Sequence, residues 1–243
     1  MNAPLPELVD PARAAVLLVD LQNDYCHPDG AIGRKGGDVS AAAALLGPLD
    51  HLLAGARTAK VPVIWIRNWH EKWTDSEAWL SRSPGAGLAA RAGTWGAQFW
   101  GVQPAPNEPI VNKQRYSAFW GTRLDSVLRT LRRETLILGG VATNVCVEST
   151  ARDGCFLDYH IVFLSDCAAS NDGPAAHNAT LENIRHHFGV VSTAAEVVVA
   201  WQPVPVSLPV LPTPFPTRED EVTARRAQIV TSTPSLIGKT AGV

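Results

Sequence analysis

Thr135-Leu-Ile-Leu-Gly-Gly-Val-Ala-Thr-Asn-Val-Cys-Val-Glu-Ser-Thr-Ala-Arg-Asp-Gly154 joins an apolar run to a glycine pair and then to a cysteine opening a helical pattern. Leu136, Ile137 and Leu138 form the continuous aliphatic run of a strand buried on both faces, as in a parallel sheet, and Gly139-Gly140 lets the backbone take unusual angles. Thr143 or Asn144 can cap the helix that follows, which predicts Cys146 in its first turn. There the unpaired N–H groups and the positive end of the helix dipole favour a thiolate. A cysteine among apolar residues is also a common packing residue, so Cys146 by itself leaves both roles open. The glycines, caps and helix start beside it are what a nucleophile needs and a packing residue does not.

Working outward, Ala14-Ala-Val-Leu-Leu-Val19 is a second buried strand, ending on Asp20 and the polar loop Leu21–Gly30. Ligands of open α/β sheets bind outside the carboxyl ends of the strands, so Asp20 belongs where Cys146 belongs, although a loop aspartate that caps a turn reads the same way. Asp38-Val-Ser40 can cap a helix with Leu45, Leu49, Leu52, Leu53 and Ala56 on one face, which Pro48 should kink or divide. Strands follow at Val61–Ile66, before Lys113, at Ile161–Leu164 and at Val190-Val191, with helices around Leu124–Leu131 and Pro174–His187. This alternation predicts an α/β fold, a doubly wound, mainly parallel β-sheet flanked by helices, in a single domain over 14–201. A leader (1–13) precedes it and a Pro-rich tail (202–243) follows, the tail extended apart from a short helix over Thr217–Val230. Lys113, taken alone, reads as a solvated surface charge.

Three motifs change that reading. Gly140-Val-Ala-Thr-Asn-Val-Cys146, Asp20-Leu-Gln-Asn-Asp24 and Lys113-Gln-Arg-Tyr-Ser-Ala-Phe119 resemble the nucleophile, general-base and lysine motifs of the isochorismatase-like cysteine hydrolases. That group contains nicotinamidase, N-carbamoylsarcosine amidohydrolase, ureidoacrylate amidohydrolase and biuret hydrolase. The resemblance implies a catalytic set of Asp20, Lys113 and Cys146. It also implies a cis peptide between Val141 and Ala142, an oxyanion hole from the backbone N–H groups of Ala142 and Cys146, and a homo-oligomer, dimer or tetramer.

Nicotinamidases of this group hold a metal just after the second strand, with an aspartate, a histidine two places on and a further histidine. Here the positions read Asn68 and His70, with no other histidine in the segment Arg67–Trp79, and a neutral amide with one imidazole makes a poor divalent site. We therefore expect no metal and no cofactor. The degraded metal motif and the sequence around Lys113 and Cys146 are closest to the ureidoacrylate and biuret-type enzymes. They imply cleavage of a linear C–N bond in a small ureido or carbamoyl compound of the biuret, triuret or ureidoacrylate type, with ammonia release. The alternatives are a nicotinamidase-type amidase, an isochorismatase, or a non-catalytic binding or scaffold member. Candidate substrate contacts are Gln22, Asn23, Asn112, Tyr116, Phe119, Trp120 and Thr143. Trp69, Trp73 and Trp79 read as lid or interface residues, and residues 81–107 as a covering loop with a short helix.

Composition excludes other classes. The 21 basic residues are dispersed and balanced by 23 acidic ones, leaving a net charge of −2 and no basic field for nucleic acid. No apolar run reaches membrane-spanning length and the first residues do not form a signal peptide, so the expectation is a cytoplasmic protein without a membrane partner. The four cysteines show no Cys-x-x-Cys spacing and read as free thiols, Cys155 and Cys167 as packing residues. His177, His186 and His187 read as surface or helix-end residues rather than metal ligands.

Overall fold

The computed structural model describes residues 3–82 and 89–202. The leader carries a short helix, α1 (Leu5–Leu8), before β1 (Ala14–Val19). Two single-turn helices, α2 (Asn23–Cys26) and α3 (Ala31–Arg34), lie in the loop after β1, and α4 (Ser40–Ala43) and α5 (Leu46–Ala59) lead to β2 (Val63–Asn68). A long excursion holding α6 (Glu77–Leu80) and a 3₁₀ turn (Trp95–Ala97) ends at β3 (Ile110–Lys113). Next come α7 (Leu124–Thr130), β4 (Thr135–Val141), a π turn (Thr143–Val147) that runs into α8 (Glu148–Phe156), and β5 (His160–Ala169). The described chain closes with α9 (Pro174–Asn183), a second π turn (Ile184–Phe188), β6 (Val190–Ser192) and α10 (Ala194–Ala200). The Pro-rich tail and the helix expected over Thr217–Val230 lie outside the described residues.

Among the described residues the strands form one parallel sheet in the order β3-β2-β1-β4-β5-β6. Its two faces explain why β1 and β4 read as unbroken apolar runs. Val16 and Leu18 pack with Leu49, Leu52 and Val197 of α5 and α10 on one side, while Ala15, Leu17 and Val19 pack with Leu128 and Ala151 of α7 and α8 on the other. Pro48 falls in the first turn of α5, where its missing N–H has no helical acceptor to lose, and the chain is divided just before it, between Ala43 and Leu46.

The order of strands places β1 beside β4 at the point where the connections reverse direction, and a crevice at the carboxyl ends opens there. Val19 pairs with Gly140, and Asn68 pairs with Lys113. These registers carry Asp20, Lys113 and the cysteine turn to the same end of the sheet. Gly140 sits at φ +124, and a Cβ on it would stand 2.0 Å from the Val19 carbonyl oxygen. Backbone rather than a movable side chain is in the way. Gly140→Ala is expected to cost about 3 kcal/mol or more, read as a lower urea midpoint; a midpoint equal to the wild type would contradict that close approach.

The chain enters the strand that ends in Lys113 through a half-buried clamp at Glu108. Glu108 accepts from the Trp65 indole at 2.7 Å, from Arg57 Nε at 2.8 Å and from the Ala105 N–H at 2.8 Å, which fixes the loop entering β3 against β2 and α5.

Candidate active site

Asp20 follows β1 in the left-handed region, φ 52, a conformation that aspartate tolerates better than most residues. Its N–H donates to the Ile66 carbonyl at 2.9 Å, so the carboxylate leaves the sheet at the crevice. Lys113, fully buried at the end of β3, brings its ammonium 2.8 Å from Asp20 Oδ2, 3.4 Å from Cys146 Sγ and 3.0 Å from the Arg115 carbonyl. Asn68 Nδ2 donates to the same Asp20 oxygen at 3.0 Å. Asp20 Oδ1 is buried and has no hydrogen-bond partner. One carboxylate oxygen is thus held by two donors while the other is left to accept.

Burial works against the charge on Lys113, but the neighbouring Asp20 and Cys146 outweigh it and raise its pKa above the ordinary 10.5. It is an ammonium at neutral pH. Burial also pushes the Cys146 thiol up to about 12; Lys113 lowers it, and Asp20 raises it further. Cys146 does sit in the first turn of a helical segment, as expected, but burial and Asp20 oppose the thiolate that a helix start favours. Cys146 lies within the π turn that runs into α8 and is 7% exposed. The expected caps are corrected. Ala142 takes the N-cap position with no side-chain bond. Thr143 Oγ1 pairs instead with His177 Nδ1 at 2.9 Å, and Asn144 bonds Asp172 and Ser170. His177, half-buried near the start of α9, thus contacts the cysteine turn, and burial lowers its pKa. The Val141–Ala142 peptide is cis.

A cavity of about 240 Å³ opens over this assembly, lined by Asp20, Asn68, Val141, Ala142 and Cys146 together with His70, Trp79 and Tyr116. Of the seven candidate substrate contacts only Tyr116 lines it, and the other six are corrected by what they touch. Gln22 is fully buried, and its amide exchanges bonds with the backbone of Asn68 and Ala97. Asn23 Nδ2 donates to the Trp95 carbonyl, and Asn112 Oδ1 accepts from Arg67. Phe119 stacks on Tyr159, Trp120 is 68% exposed, and Thr143 is spent on His177. Lys113 is likewise absent from the cavity wall and contacts Asp20 and Cys146 instead.

Sequence reasoning passed over Tyr25 and Lys35, gave Asp24 no role beyond its place in the motif, and read Trp79 only as a lid or interface residue. Buried Asp24 accepts from the N–H groups of Ala31 and Ala90 at 2.9 and 2.7 Å and ties the loops on either side of the cavity together. A carboxylate followed by three loop glycines and prolines carries that signal only weakly. Tyr25, Lys35 and Trp79 line the cavity from segments without periodicity.

The residues at the former metal motif do not fit a divalent ion. Asn68 presents an amide N–H to Asp20, and His70 Nδ1 lies 2.9 Å from Asp75, which also pairs with Arg91. Among the described residues no group of three or more His, Cys, Asp or Glu side chains is spaced to hold a metal. No helix among them is long and apolar enough to cross a membrane. The four cysteines are free; burial pushes Cys26 up to about 12 and raises Cys167 as well, as suits inert packing residues.

A ureidoacrylate amidohydrolase RutB from Methylobacterium radiotolerans is 36% identical over 208 residues, covering 79% of this chain and 81% of its own. The RutB of an Enterobacter species is 35% identical over 209 residues, covering 79% and 91%. A cysteine hydrolase of known structure from Pseudomonas syringae pv. phaseolicola superposes with a TM-score of 0.74 at 32% identity, over 83% of this chain and 98% of that one. Residues 14–196 match the Isochorismatase domain, and the chain belongs to the isochorismatase family of hydrolases.

Proposed function

We propose that the protein is a metal-independent cysteine amidohydrolase that cleaves the C–N bond of a small ureido compound of the ureidoacrylate type. The observation that carries this reading is the assembly of Asp20, Lys113 and Cys146 with one Asp20 oxygen free to accept. The names of the RutB relatives favour ureidoacrylate over biuret or triuret as the substrate.

The chemistry follows from a resting thiol beside a carboxylate. As Cys146 Sγ attacks the ureido carbonyl carbon, its proton passes to Asp20 Oδ1, so no buried thiolate has to accumulate. Lys113 and Asn68 hold Oδ2 and orient the carboxylate throughout. The carbonyl oxygen becomes an oxyanion that the backbone N–H groups of Ala142 and Cys146 stabilise, a contribution of about 2.7–4 kcal/mol per donor where one has been removed elsewhere. Asp20 returns the proton to the departing nitrogen, the C–N bond breaks, and an acyl or carbamoyl thioester remains on Cys146. Asp20 then deprotonates a water that attacks this carbonyl, and the sulfur leaves with the proton. Only the completed cycle returns both Asp20 and Cys146 to their starting states.

The test is ammonia release in the presence of a chelator from ureidoacrylate, biuret, triuret, N-carbamoyl amino acids and nicotinamide. Turnover of ureidoacrylate with chelator present is the expected result. Turnover of nicotinamide alone, or activity that the chelator abolishes, would overturn the proposal; pyruvate in place of ammonia from isochorismate would move the reaction to a vinyl ether.

A further inference from the structure

Among the described residues two buried side-chain polar atoms lack a hydrogen-bond partner, Asp20 Oδ1 and Trp79 Nε1. Both residues line the same cavity. The proposed reaction accounts for the first, because that oxygen receives the thiol proton. Nothing in the chemistry described so far uses the second. Buried indole N–H groups are normally paired, so an orphan beside an active-site cavity points to a partner that arrives with the ligand.

The indole is held in place from several directions. Ser76 caps its helix, with Oγ accepting from the Trp79 N–H at 3.2 Å. His70 stacks on the ring at 5.9 Å between centroids, and Tyr116 leans on it at 5.1 Å. The Arg115 guanidinium lies 4.8 Å from the ring centroid, while its Nη1 donates to the carbonyls of Thr74 and Gln114. Such a donor is preorganised and loses little freedom when it binds.

The surroundings favour a negative acceptor. Arg115 brings positive charge against the Trp79 ring, and Lys35 lines the same cavity. Asp172, the other carboxylate that lines the cavity besides Asp20, is engaged by Asn144 Nδ2 at 2.8 Å. The volume of about 240 Å³ is below the range of roughly 300–1,000 Å³ usual for larger ligands, which limits the occupant to a small metabolite.

We infer that Trp79 is a specificity-determining residue, its indole N–H donating to a carboxylate at the far end of a ureido substrate whose carbonyl sits at Cys146. The inference rests on the ureido reading above and adds to it the group that selects an acidic ureido compound over a neutral one.

Trp79→Phe keeps an aromatic ring against His70 and Tyr116 and removes the donor together with the five-membered ring that carries it. The experiment compares binding of ureidoacrylate and of propylurea, which lacks the carboxylate, to the Cys146→Ala protein with and without Trp79→Phe, by calorimetry. In parallel it follows the indole N–H resonance that Trp79→Phe deletes. The expected result is about tenfold weaker ureidoacrylate binding in the double variant, no loss for propylurea, and a Trp79 resonance that moves with ureidoacrylate. Failure of propylurea to bind either protein while ureidoacrylate binds the Cys146→Ala protein, with the same loss in the double variant, also supports the assignment. Equal losses for both ligands, an unchanged affinity, or a stationary resonance during saturation would overturn it and leave the proposed function standing. Absence of ureidoacrylate binding to the Cys146→Ala protein removes the substrate proposal and this assignment together.

Discussion

Cys146→Ala should reduce ureido hydrolysis by a factor on the order of 10⁶ and Asp20→Asn by one on the order of 10⁴, the scale seen when a nucleophile or its proton-handling partner is removed. Two losses of activity alone would not distinguish a preformed thiolate from a thiol that gives up its proton during attack. The electrostatics do. Burial holds the thiol at about 12, with Lys113 pulling it down and Asp20 pushing it up. Alkylation of Cys146 by iodoacetamide should therefore be slow at neutral pH and keep rising with pH, with no plateau until pH approaches about 12. In Asp20→Asn one raising influence is gone and the Lys113 ammonium still faces the sulfur. The thiol of that variant should react faster with iodoacetamide at neutral pH while turnover collapses. A slower reaction would mean that Asp20 activates the resting thiol, and the sequence of proton transfers proposed here would be wrong.

Lys113→Met is the change with the largest expected effect on stability. The ammonium is fully buried and is the cation paired with Asp20, so its removal leaves a buried carboxylate with only the Asn68 amide and should cost about 3–5 kcal/mol. For a chain of this length that corresponds to a fall in Tm of roughly 10 °C. Calorimetry and urea unfolding read it directly. The double variant Asp20→Asn/Lys113→Met removes both charges and should recover part of the loss, since a neutral buried pair has no unpaired charge. A double variant less stable than Lys113→Met would refute the ion pair as the cause. The pH dependence has a definite sign. The pKa of Lys113 is raised by folding, so the stability it contributes is complete below the ordinary lysine value of 10.5 and is lost as pH rises through the higher folded value. Wild type and Lys113→Met should therefore differ fully at neutral pH and converge only in strong alkali.

Much of the fold was legible because the strands buried on both faces read as apolar runs; Ala14–Val19 is bounded in the structure as the sequence alone suggests. β5 was read too short. Its polar continuation, Ser165 and Asp166, stays in the strand because Ser165 Oγ donates to the Ser192 carbonyl and Asp166 accepts from the Ala194 N–H, bonds that no local pattern announces. The proposed catalytic set was legible through motifs, since each of its members follows or ends a strand. The cavity wall was not. Gln22 and Asn112 look like ligand-binding amides in a list of residues, and only their neighbours reveal that backbone groups and Arg67 already occupy them. Trp79 and Lys35 reach the cavity from two separate excursions, one after β2 and one after β1, which only the folded sheet brings together.

The parallel sheet also governs when this chain can acquire its chemistry. Asp20, Lys113 and Cys146 belong to three separate strand ends, and no two of them are brought together by local structure. During synthesis the ribosome releases the carboxylate early and the lysine much later, and the sulfur follows only with the turn after β4. Until β4 inserts between β1 and β5, the cysteine is an ordinary solvent-exposed thiol that oxidants and electrophiles can reach. The closing of the sheet both assembles the site and shields its sulfur, so a nascent or partly unfolded copy is inactive and chemically vulnerable at the same residue.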